Sequence, residues 1–381
     1  MVTVICVGCG AALELLYRQP LREMEKLGWL KVHGLVDAVE QRAQTAAGWF
    51  RQARAFRDLE VAFDTLGQTD LAIIASPPAF HASQAIAAFE RNCHVLCEKP
   101  MSHSASSAEE MVEKARKHNR LLAVGMARRF YPAVETARSW VRENNGSPLV
   151  FSYREGSLFD WPVASPAQFR RTTGAGGVLI DKGIHAVDTL YHTFGPGRLV
   201  RSADDAAGED GVESNAALEL AFCSSRGFLQ VSWESPLNNG FHLASEGGEL
   251  WLPLSPVDAV WRRRRAGGQT WEKVKARAAW PSNLASVKPT MVTPMNVFEC
   301  VRLQLVSVLR SILLGERPVA SGDEGLEVLR LVMAAYERAT PLQQPWLPVS
   351  EQRTLASTHW KALTGVRAKT LGDQPCPSIN H

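Results

Sequence analysis

Five apolar runs of strand length, VTVICVG (2–8), KVHGLVD (31–37), TDLAIIAS (69–76), CHVLCEK (93–99) and LLAVGMA (121–127), recur through the first third of the chain. Segments with helical spacing, such as 78–91 and 105–118, separate them. Runs that are apolar at nearly every position, rather than at alternate ones, belong to strands covered on both faces, and helical stretches between them are the crossovers that parallel pairing demands. This pattern predicts a doubly wound α/β domain with its ligand crevice at the carboxyl ends of the strands.

After residue 127 the pattern changes. A helical stretch over 132–144 runs into Asn145-Gly146, a good C-terminal cap, and the strand PLVFSYREG (148–156) follows. A connection rich in Trp, Pro and Arg reaches Gly174, and a helix begins near Gly176-Gly177. Period-two alternation over 198–271 (AALELAF, GFLQVSW, FHLASEGGELWLP) predicts a mostly antiparallel sheet, and helices over 295–314 and 323–338 close the pattern. The expected organisation is an α/β dinucleotide-binding domain (1–127), an α+β domain with an open sheet (128–345) for substrate binding and oligomerisation, and an irregular tail (346–381).

With 42 Lys+Arg against 39 Asp+Glu, the chain lacks the one-sided charge of a nucleic-acid or membrane binder, so its expected partner is a small molecule. The run WRRRRAGGQTW (261–271) leads into Gly267-Gly268 and reads as a solvated hairpin. The N-terminus enters a strand at once without a basic leader, and no apolar run approaches 18 residues, so a cytoplasmic location is expected. Seven scattered cysteines suit reduced thiols; Cys6 and Cys9 form a CxxC, but Cys6 lies inside a strand pattern and no second pair stands at zinc spacing, so no metal is expected.

The first strand ends in VGCGAALEL. There Gly8 and Gly10 allow a backbone to approach a pyrophosphate, and Ala11 and Ala12 open a helix whose N-terminus can receive its charge. Leu13 stands at the third motif position, which implies a slightly displaced helix. Asp37 ends the second strand at about the spacing, roughly 20 residues, at which a carboxylate binds a ribose hydroxyl, and that favours NAD; Arg42 keeps NADP open. The alternative for Asp37 is a helix N-cap. Ser76, Pro77 and Pro78 make a rigid turn after the third run, with His81 at the start of the next helix. CEKPM (97–101) presents Glu98 and Lys99 against a proline, either as a surface turn or as a working surface.

ASPPAFHASQAIAAFERNCHVLCEKPM and GGVLIDKGIHAVDTLYHTFG together resemble the two signatures of the glucose–fructose oxidoreductase and inositol dehydrogenase (Gfo/Idh/MocA) family. GMARRFYPAV is similar to its interdomain element and RPVASGDEGLEVLRLVMAAYE to its closing helix, so the resemblance covers about residues 2–340. It implies a Rossmann domain that binds NAD or NADP, with Ser76, Pro77, His81 and Glu98 along the cofactor crevice, and Lys99, Asp181 and His185 as the catalytic set. Asp181 and His185, four apart on an expected helix, would share a face, the carboxylate setting the imidazole tautomer and raising its basicity. Lys99 would meet the substrate oxygen and His185 the proton. Lys182, about 100° around the helix, is expected to face away.

The expected substrate is a secondary alcohol, or the matching ketone, of a sugar, nucleotide sugar or cyclitol. Arg128, Arg129, Tyr153, Trp161 and Arg170 are its candidate contacts, and the cations favour an anionic sugar; a solvated loop is the alternative for Trp161 and Arg170. A homodimer or homotetramer through the uncovered sheet face is expected. Two other functions fit the fold: a ligand-sensing regulator without chemistry, and a reductase of conjugated C=C or C=N bonds.

Overall fold

The computed structural model describes residues 1–144, 149–162, 169–171, 175–206, 210–223, 225–264, 270–277 and 296–342. The Asn145-Gly146 cap, Gly174, the Gly267-Gly268 turn and the tail from 346 lie outside them.

The first sheet contains β1 (Val2–Val7), β2 (Leu30–Val36), β3 (Arg54–Phe56), β4 (Leu71–Ile74), β5 (His94–Cys97) and β6 (Leu122–Val124). Its order is β3-β2-β1-β4-β5-β6 with every pair parallel. Helices α1 (Arg18–Lys26), α2 (Glu40–Ala47), α3 (Leu59–Leu66), α4 (Pro78–Glu90) and α5 (Ala105–Lys117) are the crossovers. Val4, Ile5 and Cys6 are all fully buried, as a strand covered on both faces requires. The winding reverses between β1 and β4, so the crevice opens where Gly8 and Ser76 leave those strands.

A short 3₁₀ turn (Ala127–Phe130) and α6 (Pro132–Glu143) lead to the second sheet. That sheet holds β7 (Leu149–Gly156), β8 (Gly197–Asp204), β9 (Asn215–Phe222), β10 (Ser225–Ser232), β11 (Gly240–Ser245), β12 (Gly248–Pro253), β13 (Ala259–Arg264), β14 (Glu272–Lys275) and β15 (Ala339–Pro341). The order is β14-β13-β12-β11-β7-β10-β9-β8-β15, antiparallel except for β7 with β10 and β8 with β15. One face packs on α7 (Ile184–Phe194), where Phe194 meets Phe151 and Phe222 at ring separations of 5.3 and 5.5 Å. Strand β13 itself carries Arg262, Arg263 and Arg264 of the basic run and pairs antiparallel with β14.

The closing helices α8 (Val297–Leu314) and α9 (Gly322–Glu337) return to the first domain. Val301, Leu305 and Leu309 of α8 share a core with Val4, Leu13 and Tyr17. Ser321 and Glu324 form a reciprocal capping box at the start of α9, and Ser321 bridges Ala123 of β6. Cys6, Cys9, Cys93, Cys97 and Cys300 are buried free thiols, whereas Cys223 is disulfide-bonded.

Candidate active site

At the dinucleotide end, Gly8 has φ +88°, and a Cβ there would overlap the backbone of Ala75 and Ser76. Only glycine can hold that corner without strain. A Cβ on Gly10 would instead meet open space, the clearance a pyrophosphate needs to reach the backbone. Leu13 is fully buried, and the helix start that carries it is a π-helical turn (Leu13–Tyr17) before α1, so the displaced helix takes the form of a widened turn. Asp37 Oδ2 accepts from Cys9 N at 2.8 Å and Oδ1 from Val39 N at 2.8 Å. Because α2 starts only at Glu40 with Val39 as its cap, Asp37 is not the N-cap. Each of its oxygens keeps acceptor capacity for a ribose hydroxyl. Burial pushes the Cys9 thiol up to about 12 and Cys6 up as well, so this CxxC stays protonated.

Ser76 Oγ donates to Gln84 Oε1 at 2.6 Å. His81 corrects an expectation: it is 1% exposed, and its ring nitrogens contact Ser76 O at 2.7 Å and Pro100 O at 2.9 Å. It joins the turn after β4 to the loop after β5 and presents no polar atom to a cofactor.

At the other end of the crevice, the Glu98 carboxylate accepts from the Tyr17 hydroxyl and, at 3.1 Å, from Lys99 N. The Tyr17 hydroxyl in turn accepts from Gln304 Nε2 of α8 at 3.0 Å. Lys99 reaches across to the second domain, where its Nζ donates to Asp181 O at 2.9 Å and to Asp181 Oδ1 at 3.0 Å. Trp233 Nε1 donates to Asp181 Oδ2 at 3.2 Å. Burial alone would raise the Asp181 pKa, but Lys99 and Trp233 hold it below the ordinary carboxylate value. Lys182 turns aside and donates to Ser157 Oγ.

The expected Asp181–His185 couple is not formed. Residues 179–183 are a π-helical turn (Leu179–Gly183) that runs straight into α7, and no hydrogen bond joins the Asp181 carboxylate to the His185 ring. Asp181 is committed to Lys99 and Trp233, while His185 Nδ1 is buried without a partner. Burial first, then the charges of Arg128 and Lys99, push His185 well below the ordinary histidine value, the reverse of the expected rise in basicity.

Two arginines are also reassigned. Arg129 is 3% exposed and donates to Asp188 of α7 at 2.6–3.1 Å, to Glu324 of α9 at 2.7 Å and to Val319 O at 2.8 Å. It is an interdomain strut. Arg128 pairs with both oxygens of Glu155, at 2.6 and 2.7 Å, and donates to Tyr153 OH at 2.8 Å. Tyr153 is 1% exposed, so a ligand reaches neither its ring nor its hydroxyl. Trp161 and Arg170 are exposed.

Residues 2–126 match the profile of GFO_IDH_MocA, an oxidoreductase family with an NAD-binding Rossmann fold. Over these residues the chain is similar to the Gfo/Idh/MocA family. D-glucoside 3-dehydrogenase of Escherichia coli is 28% identical over 172 residues, 44% of this chain and 47% of that protein. scyllo-Inositol 2-dehydrogenase (NADP(+)) of Bacillus subtilis is 28% identical over 224 residues, 56% of this chain and 65% of that protein. These matches span from about half to under two thirds of the relatives' length. A solved levoglucosan dehydrogenase in complex with NADH and levoglucosan superposes with a TM-score of 0.74 over 88% of this chain and 96% of that chain; at 18% identity it shows the shared fold.

Several groups of the site carried no sequence signal. Tyr17 lies on the π-helical turn of the first helix and reaches Glu98, and Trp233, just past the end of β10, reaches Asp181. Glu155 was legible in part, since on a strand it shares a face with Tyr153 two residues before it.

Proposed function

We propose that this chain moves hydride between NAD(P) and a secondary alcohol or ketone carbon of a sugar or cyclitol. One observation carries the reading: an ammonium from the first domain, Lys99, is bound across the crevice by Asp181 of the second, at 2.9 and 3.0 Å. The names of the relatives, dehydrogenases of a glucoside and an inositol, support it.

The backbone of Gly8, Gly10, Ala11 and Ala12 would hold the pyrophosphate, Asp37 a ribose hydroxyl, and Ser76, Pro77 and Glu98 the nicotinamide half. When bound, the cofactor supplies the hydride acceptor or donor. Asp181 occupies two of the three N–H donors of Lys99, which leaves one to stabilise charge on the substrate oxygen. His185, neutral because of its burial, takes the hydroxyl proton as hydride departs and returns it in reduction. Asp181 therefore fixes Lys99 rather than His185. The Asp37 carboxylate repels a 2′-phosphate and favours NAD, with exposed Arg42 as the route to NADP.

Glu155 neutralises Arg128, and Asp188 and Glu324 neutralise Arg129. Neither cation is left for an anionic group, so the reading narrows to a neutral sugar or cyclitol. The outer face of the second sheet exposes Val150 at 61% and Phe228 at 55%, which supports a homodimer or homotetramer through that face. Light scattering that shows only monomer contradicts that part.

The test is formation of reduced cofactor when the protein is mixed with NAD or NADP and a panel of neutral sugars and cyclitols. Turnover of at least one, reduced about 10²-fold or more in Lys99→Ala, supports the proposal. Cofactor binding without turnover across the panel favours the sensing regulator instead.

A further inference from the structure

The π-helical turn that carries Asp181 begins at a helix N-terminus, where the first backbone N–H groups have no partner within the helix. No side chain of the turn itself caps it. One residue 34 to 36 positions along the chain does most of that work. Gly177 N donates to both carboxylate oxygens of Glu213 at 3.1 Å, Leu179 N donates to Glu213 Oε1 at 2.9 Å, and Val178 N donates to Glu213 O at 3.0 Å. Ile180 N donates to Tyr336 OH at 3.1 Å, and that hydroxyl donates to Glu213 Oε1 at 2.8 Å. A Cβ on Gly177 would overlap the Glu213 backbone, which explains the glycine in the motif. Glu213 is 0% exposed.

We propose that Glu213 is a positioning residue for the reaction, its carboxylate holding the turn in the place from which Asp181 fixes Lys99. The proposal rests on the catalytic role given to Asp181 above. Of the four successive amides at the start of the turn, those of Gly177 and Leu179 end on the Glu213 carboxylate and that of Ile180 on the tyrosine it binds, so a change at this buried carboxylate moves the turn rather than a single side chain.

The carboxylate also makes the turn sensitive to pH. Burial, with repulsion from Asp204, pushes Glu213 up to about 7, against the pull of the Leu179 amide and the Tyr336 hydroxyl. The titratable groups facing it are Asp204 at the end of β8, which Arg171 offsets, and Tyr336 of α9. On the turn itself, the Asp181 and Lys182 side chains are engaged by Lys99 and Ser157 instead. Above neutrality the ionised group accepts every donor aimed at it. Below neutrality its added proton is one more donor among donors, and the cap loosens.

Two measurements on the full chain test this. In fluorotryptophan-labelled protein, the Trp233 fluorine signal, assigned with Trp233→Phe, reports the Asp181 contact without turnover. It should titrate with a midpoint near 7 in the native chain and be flat through that range in Glu213→Gln. For turnover, Glu213→Gln should lower kcat about 10- to 100-fold while the dissociation constant for NAD stays within about twofold. Tyr336→Phe, which keeps the carboxylate, should lower kcat less and retain the titration. A flat signal in the native chain, or an unchanged titration and kcat in Glu213→Gln, overturns the proposal. Should Glu213→Gln fail to fold, native kcat in Tyr336→Phe together with a flat native signal overturns it, and a titrating native signal with reduced kcat in Tyr336→Phe supports it. A titrating Trp233 signal in a chain that reduces no NAD sinks the dehydrogenase reading and leaves the cap standing.

Discussion

Replacing Arg129 with methionine separates a strut from a substrate contact. The Arg129 and Asp188 side chains are each 1% exposed, and Asp188 takes three contacts from the guanidinium, so the variant strands a buried carboxylate in the core. Removal of one partner from such a pair costs about 3–5 kcal/mol. Glu324 contributes less, because its side chain is 22% exposed and still caps α9 and faces Arg317. Against a total stability of about 5–15 kcal/mol, the loss is a large fraction, readable in urea or thermal unfolding as a fall in Tm of roughly 10 °C. Burial already raises the Asp188 pKa, and without Arg129 it rises further. A carboxyl raised above its unfolded value stabilises the fold when protonated and loses that contribution as pH rises, so the deficit of the variant should be greater at pH 8 than at pH 5. Arg129→Met with Asp188→Leu removes the stranded charge and should recover at least half of the loss. Stability within about 1 kcal/mol of the native chain, with only KM raised, would refute the reasoning and return Arg129 to the substrate site.

Asp181→Asn removes the charge that binds Lys99 and should lower kcat about 10- to 100-fold with NAD affinity unchanged; an equal loss of NAD affinity in titration calorimetry would contradict the assigned role. Gly10→Val projects into open space, so unfolding without cofactor should be native-like while NAD binding weakens at least about tenfold; a large loss of stability would show that the space is not the cofactor's. The depressed His185 pKa keeps the ring neutral to lower pH than an ordinary histidine and protonates it only below that depressed value. In Glu213→Gln, the acid limb of kcat/KM for alcohol oxidation should therefore lie below about 6.5; a limb at or above it would exclude His185 as the proton acceptor.

The parallel sheet was legible because continuous apolar runs leave a strand no exposed face, and the antiparallel sheet because alternation does the opposite. Strand β3, three residues long, is too short for either signal. Lys99 and Asp181 stood in motifs, and their proximity follows from the fold those motifs imply. The expected Asp181–His185 contact failed because Lys99 and Trp233, 82 and 52 positions away, take up the Asp181 carboxylate, and helical spacing says nothing of such distant partners. Leu13 at a glycine position was the one hint that a helix start here departs from the regular form. Arg128 and Arg129 looked free for an anion because their partners Glu155, Asp188 and Glu324 lie 27 to 195 positions away. Burial and pairing of that range exist only once the chain is folded. Glu213 had no signal at all, since a carboxylate that caps a distant helix is just one more acidic residue in a loop.

The most direct measurement is a crystal structure of the protein with NAD bound. The nicotinamide ring should lie beside Lys99, still held by Asp181, and His185, with Asp37 on the adenosine ribose. A ring placed elsewhere, or a Lys99 that leaves Asp181 and turns from the ring, would contradict the proposed chemistry.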